Sequence, residues 1–214
     1  MDLGFTRWSG KEARGRLQAM GKRIVIIQGH PDGQGRHFCH ALADEYARGC
    51  EDGGHAVRRV DVAMVDMPLL RTKEDFETGH PPEVVRQAQE AIRWADHLVI
   101  LYPLWLGSMP ALLKGFFEQV FRPGMAFEYG AKGGMAKQLL AGKSARIFVT
   151  MGMPALVYRW WYLAHSLRSL QRNILGFCGI RPAKATLIGK IEGLNEQQRA
   201  GWLNEARGLG LRAQ

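Results

Sequence analysis

Four short apolar runs, at residues 24–27, 98–101, 147–149 and, interrupted only by Thr186, 185–188, constrain this chain more than any other feature. Runs this short are strands rather than independent helices, and strands without polar alternation are buried on both faces. A fifth run, 57–62, alternates and reads as a weaker strand. Between the runs lie helical patterns. Val84, Val85, Ala88, Ala91, Ile92 and Ala95 recur at helical spacing, as do Leu112, Leu113, Phe116, Phe117 and Val120. Phe38, Leu42 and Tyr46 mark another helix, and Trp202, Leu203, Ala206 and Leu209 mark the last. Asn195 followed by Gln198 is a capping box at the start of that final helix. Strands alternating with helices predict an α/β fold: a doubly wound, five-stranded parallel sheet with helices on both faces. Ligands of such folds bind at the carboxyl ends of the strands. One domain is expected over residues 22–214, with the long irregular connections 63–82 and 122–142 available for binding loops or a dimer contact.

Charge and cysteine content narrow the class. The formal net charge is +9, of which residues 1–23 carry +4 and the rest +5. The rest is only mildly basic and holds no helix-turn-helix, zinc-finger or other nucleic-acid signature, so nucleic acid is not an expected partner. Residues 1–21 read as a basic leader, disordered or dispensable, with no apolar h-region. The most apolar stretch, 98–117, is interrupted by Pro103, Gly107, Pro110 and Lys114 and does not suit a membrane span. Cys39, Cys50 and Cys178 are odd in number and far apart, which disfavours a disulfide framework or a metal ribbon and fits a reducing cytoplasm.

Three strand-to-helix turns carry the chemistry. The first is Gly29-His30-Pro31-Asp32-Gly33-Gln34-Gly35-Arg36-His37-Phe38-Cys39. It opens a helix, whose free N–H groups and dipole favour an anion, and its glycines permit close approach of a phosphate. It matches neither the ATPase P-loop nor the dinucleotide fingerprint. On residues alone it reads either as a phosphate loop or as a solvent-exposed glycine-rich turn. The second, Tyr102 to Pro110, is fixed by prolines at both ends and places Pro103, Leu104, Trp105 and Leu106 where a planar ring has an apolar wall, or where a loop packs on the core. The third, Thr150-Met151-Gly152-Met153-Pro154, leads into an expected long aromatic helix. Tyr158, Tyr162 and His165 then share one face, as proton donors or as structural aromatics.

Together these residues resemble the flavodoxin-like NAD(P)H:quinone oxidoreductase family. The resemblance runs from about Arg23 to about Leu209 and is most specific in Pro103-Leu104-Trp105 and in Met109-Pro110-Ala111-Leu112-Leu113-Lys114-Gly115-Phe116-Phe117-Glu118-Gln119-Val120. Gly124-Met125-Ala126-Phe127-Glu128-Tyr129 and Ile174-Leu175-Gly176-Phe177-Cys178-Gly179 extend it.

The resemblance implies a flavodoxin-like fold, a two-electron flavin (FAD, with FMN the alternative), NAD(P)H as donor and a quinone-like acceptor. It also implies a homodimer with sites at the interface. Its flavin-binding positions fall on His30, Arg36, His37, Phe38 and Cys39, on Pro103 to Leu106, and on Thr150, Met151, Gly152 and Tyr158. Its catalytic pair falls on Tyr158 and His165, and its acceptor-side aromatics on Trp105, Phe127, Tyr129 and Phe177. The implied mechanism is ping-pong hydride transfer. Azo- or nitro-reduction on the same scaffold is an alternative. Another is a regulatory flavoprotein subunit in peripheral contact with a membrane transporter.

Overall fold

The computed structural model describes residues 21–130, 134 and 136–214; the basic leader, apart from Gly21, lies outside the described residues. Each apolar run is a strand. β1 is Arg23–Gln28, β3 His97–Pro103, β6 Ser144–Thr150 and β7 Ala183–Ile188. β2, Ala56–Asp61, stops one residue short of the expected end, because the Asp61 carboxylate accepts from Ala63 N–H (3.1 Å) and turns the chain into a 3₁₀ turn at Val62–Met64. These five strands form one parallel sheet in the order β2-β1-β3-β6-β7.

The helices are α1 Phe38–Asp52, α2 Lys73–Glu77, α3 Glu83–Trp94, α4 Ala111–Val120, α5 His165–Ser169 and α6 Glu196–Leu211. Neither long connection is wholly irregular. The first contains α2, capped by Thr72 Oγ1 accepting from Asp75 N–H (3.0 Å). The second contains a small antiparallel ribbon of β4 Phe127–Glu128 and β5 Lys137–Gln138. At α6 the capping box forms as expected: Asn195 Oδ1 accepts from Gln198 N–H (2.8 Å), and Gln198 Oε1 from Asn195 N–H (3.0 Å).

Strand alternation divides the core into two layers. Val25, Ile27, Leu98, Ile100, Ala145, Ile147 and Val149 pack against α3 and α4. Ile24, Ile26, Val99, Leu101 and Phe148 pack against α1 and α6. α1 and α6 approach so closely that a Cβ built on Gly49 lies 2.0 Å from the Arg207 carbonyl oxygen, and one on Gly210 lies 2.1 Å from that of Tyr46.

His97 opens β3 inside this core, 2% exposed, with Nδ1 2.7 Å from Ser144 Oγ. Burial, reinforced by the charges of Lys22 and Arg146, lowers its pKa to about 3. The unfolded chain binds a proton there near pH 6.5, the folded chain only near pH 3. This contribution to stability is therefore complete above about pH 6.5 and is lost as pH falls through that window, by on the order of 1 kcal/mol per pH unit. Urea titrations between pH 7 and pH 4 should show a steeper loss in the wild type than in His97→Asn; equal slopes would assign the acid sensitivity elsewhere.

Candidate active site

The chain leaves β1 at Gln28 and goes first to β2 on one side, then to β3 on the other. The carboxyl ends of β1 and β3 therefore flank the switch point of the sheet, where a crevice opens. Gly29 crosses this point. Its N–H donates to Leu101 O (2.7 Å), and a Cβ there would lie 2.6 Å from Leu113 Cδ2 and 3.0 Å from Leu101 O. Glycine is the residue that lets the backbone pass between β3 and α4.

Beyond Gly29 the first turn folds upon itself. His30 is buried; its N–H donates to Gln28 Oε1 (3.1 Å) and its Nδ1 accepts from Asp32 N–H (3.1 Å). The His30 ring stacks on His37 with centroids 3.7 Å apart. Asp32 Oδ1 accepts from the N–H groups of Gln34 (2.9 Å) and Gly35 (3.1 Å), while His37 Nε2 lies 2.7 Å from Asp32 Oδ2. The His37 contact, then the two backbone N–H groups, hold the Asp32 carboxyl down at about 2, so it is ionised throughout the physiological range.

α1 starts immediately afterwards. Among the described residues nothing accepts from the N–H groups of Phe38 or Cys39, and no carboxylate pairs with the exposed Arg36. A helix start with unused amides beside an unpaired arginine and a histidine fits a phosphate group. Two side chains here do not face the crevice as binding groups. The Phe38 ring lies under the Arg199 guanidinium (5.4 Å), against α6. Cys39 Sγ pairs with Thr150 Oγ1 (3.1 Å), and burial pushes its thiol up to about 11, so it is an apolar strut rather than a nucleophile.

The second turn is a tight reversal. Trp105 and Ser108 exchange backbone hydrogen bonds (2.9 Å each), with Leu106 at φ 47° and Gly107 at φ 75° between them. A leucine in the left-handed region is strained, and such strain clusters where a ligand is clamped. Trp105 is 51% exposed, its ring centroid 6.1 Å from His30. Leu104 N–H donates to Thr150 O (2.8 Å), which ties the second turn to the third. His30, Trp105, Cys39 and Thr150 thus bring all three turns to one crevice.

After the third turn the structure departs from expectation. No continuous aromatic helix forms. A π-type turn at Val157–Trp161 is followed by Leu163 and Ala164 in the left-handed region (φ 51° and 48°), and α5 begins only at His165. Tyr158, Tyr162 and His165 therefore do not share a face. Tyr158 is buried; its hydroxyl lies 2.8 Å from Ser166 Oγ and accepts from Leu167 N–H (3.2 Å). Tyr162 and His165 are exposed.

Phe127, Tyr129 and Phe177 do come together, with centroids 5.3 Å (Phe127–Tyr129) and 4.8 Å (Phe127–Phe177) apart. With Phe76, Phe117 and Phe121 they line an apolar cavity of about 290 Å³. This cavity and the three turns share no residue, so within one chain the aromatics stand apart from Trp105.

Three contributors escaped the sequence reading. Asp32, in an Asp-Gly pair, carries the self-closing Asx turn that such a pair signals. Tyr102 is buried at the end of β3 with an unpartnered hydroxyl, inside an otherwise aliphatic run. Arg122 is buried and donates to the carbonyls of Asp75 (2.7 Å), Gly79 (2.8 Å) and Gln119 (3.2 Å), and to Gln119 Oε1. It thereby pins the loop that brings Phe76 to the cavity. A lone arginine among phenylalanines was the available signal.

The family model described as flavodoxin-like fold matches residues 22–208. The chain belongs to this family. A Haemophilus influenzae protein named as an uncharacterized NAD(P)H oxidoreductase is 28% identical over 179 residues, 82% of this chain and 87% of that protein. An FMN-dependent NADH:quinone oxidoreductase of Nitratidesulfovibrio vulgaris is 29% identical over 213 residues, 88% of this chain and 98% of that protein. Among solved structures, the NAD(P)H:quinone oxidoreductase from Methanothermobacter marburgensis superposes with a TM-score of 0.74 at 25% identity, covering 90% of this chain and 97% of that one. Two relatives are named as FMN-dependent, and the expectation that put FAD first gains no support. Among the described residues no helix is long and apolar enough to cross a membrane.

Proposed function

We propose that this chain is an FMN-dependent NAD(P)H oxidoreductase that reduces quinone-like acceptors. The observation that carries the reading is the convergence of the three turns at the sheet's switch point, with unused amides at the start of α1. A flavin held there would supply two-electron hydride chemistry between NAD(P)H and the acceptor.

The protein's own residues bind, orient and manage protons. Phe38 and Cys39 offer backbone N–H groups, and Arg36 and His37 offer charge, to the phosphate. Pro103 to Leu106 would wall the ring, with the strained Trp105–Ser108 reversal setting the indole in place. Thr150, Met151 and Gly152, at the end of β6, would help hold the flavin. His165 donates a proton to the acceptor oxygen as negative charge develops there. Tyr158 is a positioning residue: its hydroxyl holds Ser166 and the Leu167 amide, and so fixes the start of α5 from which His165 projects.

The aromatic cavity completes the site from a second copy. Tyr129 and Phe177 are exposed at its rim, as a homodimer that lays this cavity over the partner's crevice requires.

Steady-state oxidation of NAD(P)H by the FMN-loaded protein with a water-soluble benzoquinone tests the function. Parallel double-reciprocal lines are expected; no acceptor-dependent oxidation would overturn the reading. In the same assay, His165→Asn should lower kcat for the acceptor by about 10²-fold or less, because binding and stacking remain. An unchanged acceptor half-reaction would remove His165 from the proton path.

A further inference from the structure

Between Glu128 and Glu192 the sequence contains no aspartate or glutamate and ten lysines and arginines. Outside this stretch the chain carries a net charge of −1. It also carries the most exposed aromatics of the described chain: Trp160 is 70% and Trp161 80% exposed, beside exposed Leu156, Tyr162 and Leu163. Soluble domains rarely leave two adjacent tryptophans in water.

The charges and the aromatics occupy one surface. Arg159 and Arg168 line a shallow recess with Leu156, and the Arg159 guanidinium sits 5.8 Å from the Trp160 ring. Arg172 follows Arg168 by four residues along the same helical run and is exposed. Among the described residues no carboxylate lies within ion-pair distance of any of the three. The two left-handed residues Leu163 and Ala164 end the π-type turn and hold the Trp-Trp-Tyr-Leu segment out as a projection instead of letting it continue as a packed helix.

We propose that this projection seats the protein peripherally on an anionic lipid surface. Tryptophan and tyrosine rings settle at the headgroup level, and arginines attract anionic headgroups. Charge decides between occupants. A two-fold contact with a second copy sets the same patch against itself, and here that places Arg159, Arg168 and Arg172 against their own mates with no acid to offset them. A flat layer of anionic headgroups complements the charges and accepts the indole rings at once. The patch shares no residue with the aromatic cavity assigned to the homodimer.

The test is flotation of the full chain with vesicles of phosphatidylcholine alone and of phosphatidylcholine with a quarter phosphatidylglycerol, read with tryptophan emission. The protein should float only with the anionic vesicles, its emission should shift to the blue, and both effects should fade as salt rises from about 0.1 to about 1 M. Arg159→Gln and Arg168→Gln should each weaken partitioning about fivefold. Trp160→Ser with Trp161→Ser should weaken it about tenfold or more, with circular dichroism and sedimentation mass unchanged. Three results overturn the proposal: equal or no flotation with the two vesicle types; tighter binding to an oligonucleotide than to anionic vesicles, abolished by the same arginine changes; or a drop in sedimentation mass in the tryptophan double variant, which assigns the patch to a second copy.

Discussion

Gly49→Ala is expected to destabilise the fold by about 2 kcal/mol and to lower the melting temperature by roughly 4–8 °C. Two effects oppose each other at this position. Alanine is favoured over glycine in a helix interior by about 1 kcal/mol. The added methyl, however, lies 2.0 Å from the Arg207 carbonyl oxygen, and the obstacle is backbone rather than a flexible side chain. α1 and α6 must separate, which loosens Leu42, Tyr46, Ala206 and Leu209 across the layer they share. Overpacking of this kind costs about 3 kcal/mol at the upper end of its usual range, so sterics outweigh propensity. Gly201→Ala in α6 is the internal control. A Cβ there meets nothing within 4 Å, and the variant should gain up to about 1 kcal/mol. Thermal denaturation of the pair decides the matter. If both substitutions stabilise, the helices are not locked at Gly49.

The largest functional effect is expected from Arg36→Ala combined with His37→Ala, which should weaken FMN binding by about 100-fold. Charge-assisted hydrogen bonds to a phosphate contribute about 1.5–3 kcal/mol each. Arg36 has no competing carboxylate among the described residues, so its charge is available to the phosphate. His37 has a second role, because it stands 2.7 Å from the ionised Asp32, whose charge otherwise faces an incoming phosphate uncompensated. Fluorescence titration with FMN and with riboflavin separates phosphate recognition from general damage. The double variant should lose FMN affinity while riboflavin affinity changes little. Asp32→Asn should move the other way, tightening FMN a few-fold by removing the like charge while Oδ1 keeps its amide contacts. Equal losses for both flavins would show that the turn was merely disordered.

The sheet was legible in the sequence because buried parallel strands must be unbroken apolar runs, and residues 24–27, 98–101 and 147–149 contain nothing else. The crevice was legible by rule, since ligands of doubly wound sheets sit where strands end and helices begin. What the sequence hid was conformation that residue type does not announce. Leu163 and Ala164 are ordinary helix formers, so residue type alone predicts a helix straight through them, yet both adopt left-handed backbone, with Tyr158 buried before them and His165 exposed after them. Tertiary hydrogen bonds were equally hidden. A lone arginine among phenylalanines marks Arg122 as unusual but does not name the carbonyls, 43 and 47 residues away, that it clasps. The Thr150 partner of Cys39, 111 residues away, is visible only once β1 and β6 are in place.

On the proposed function, the crevice formed by the three turns holds a flavin mononucleotide that NAD(P)H reduces. This is tested most directly by the visible absorption spectrum of the purified full chain, followed by identification of the flavin released on denaturation. A flavin spectrum from FMN is expected, bleached by NAD(P)H under nitrogen and restored by a quinone without a long-wavelength radical band. A chain that carries no flavin and takes up none from added FMN would contradict it.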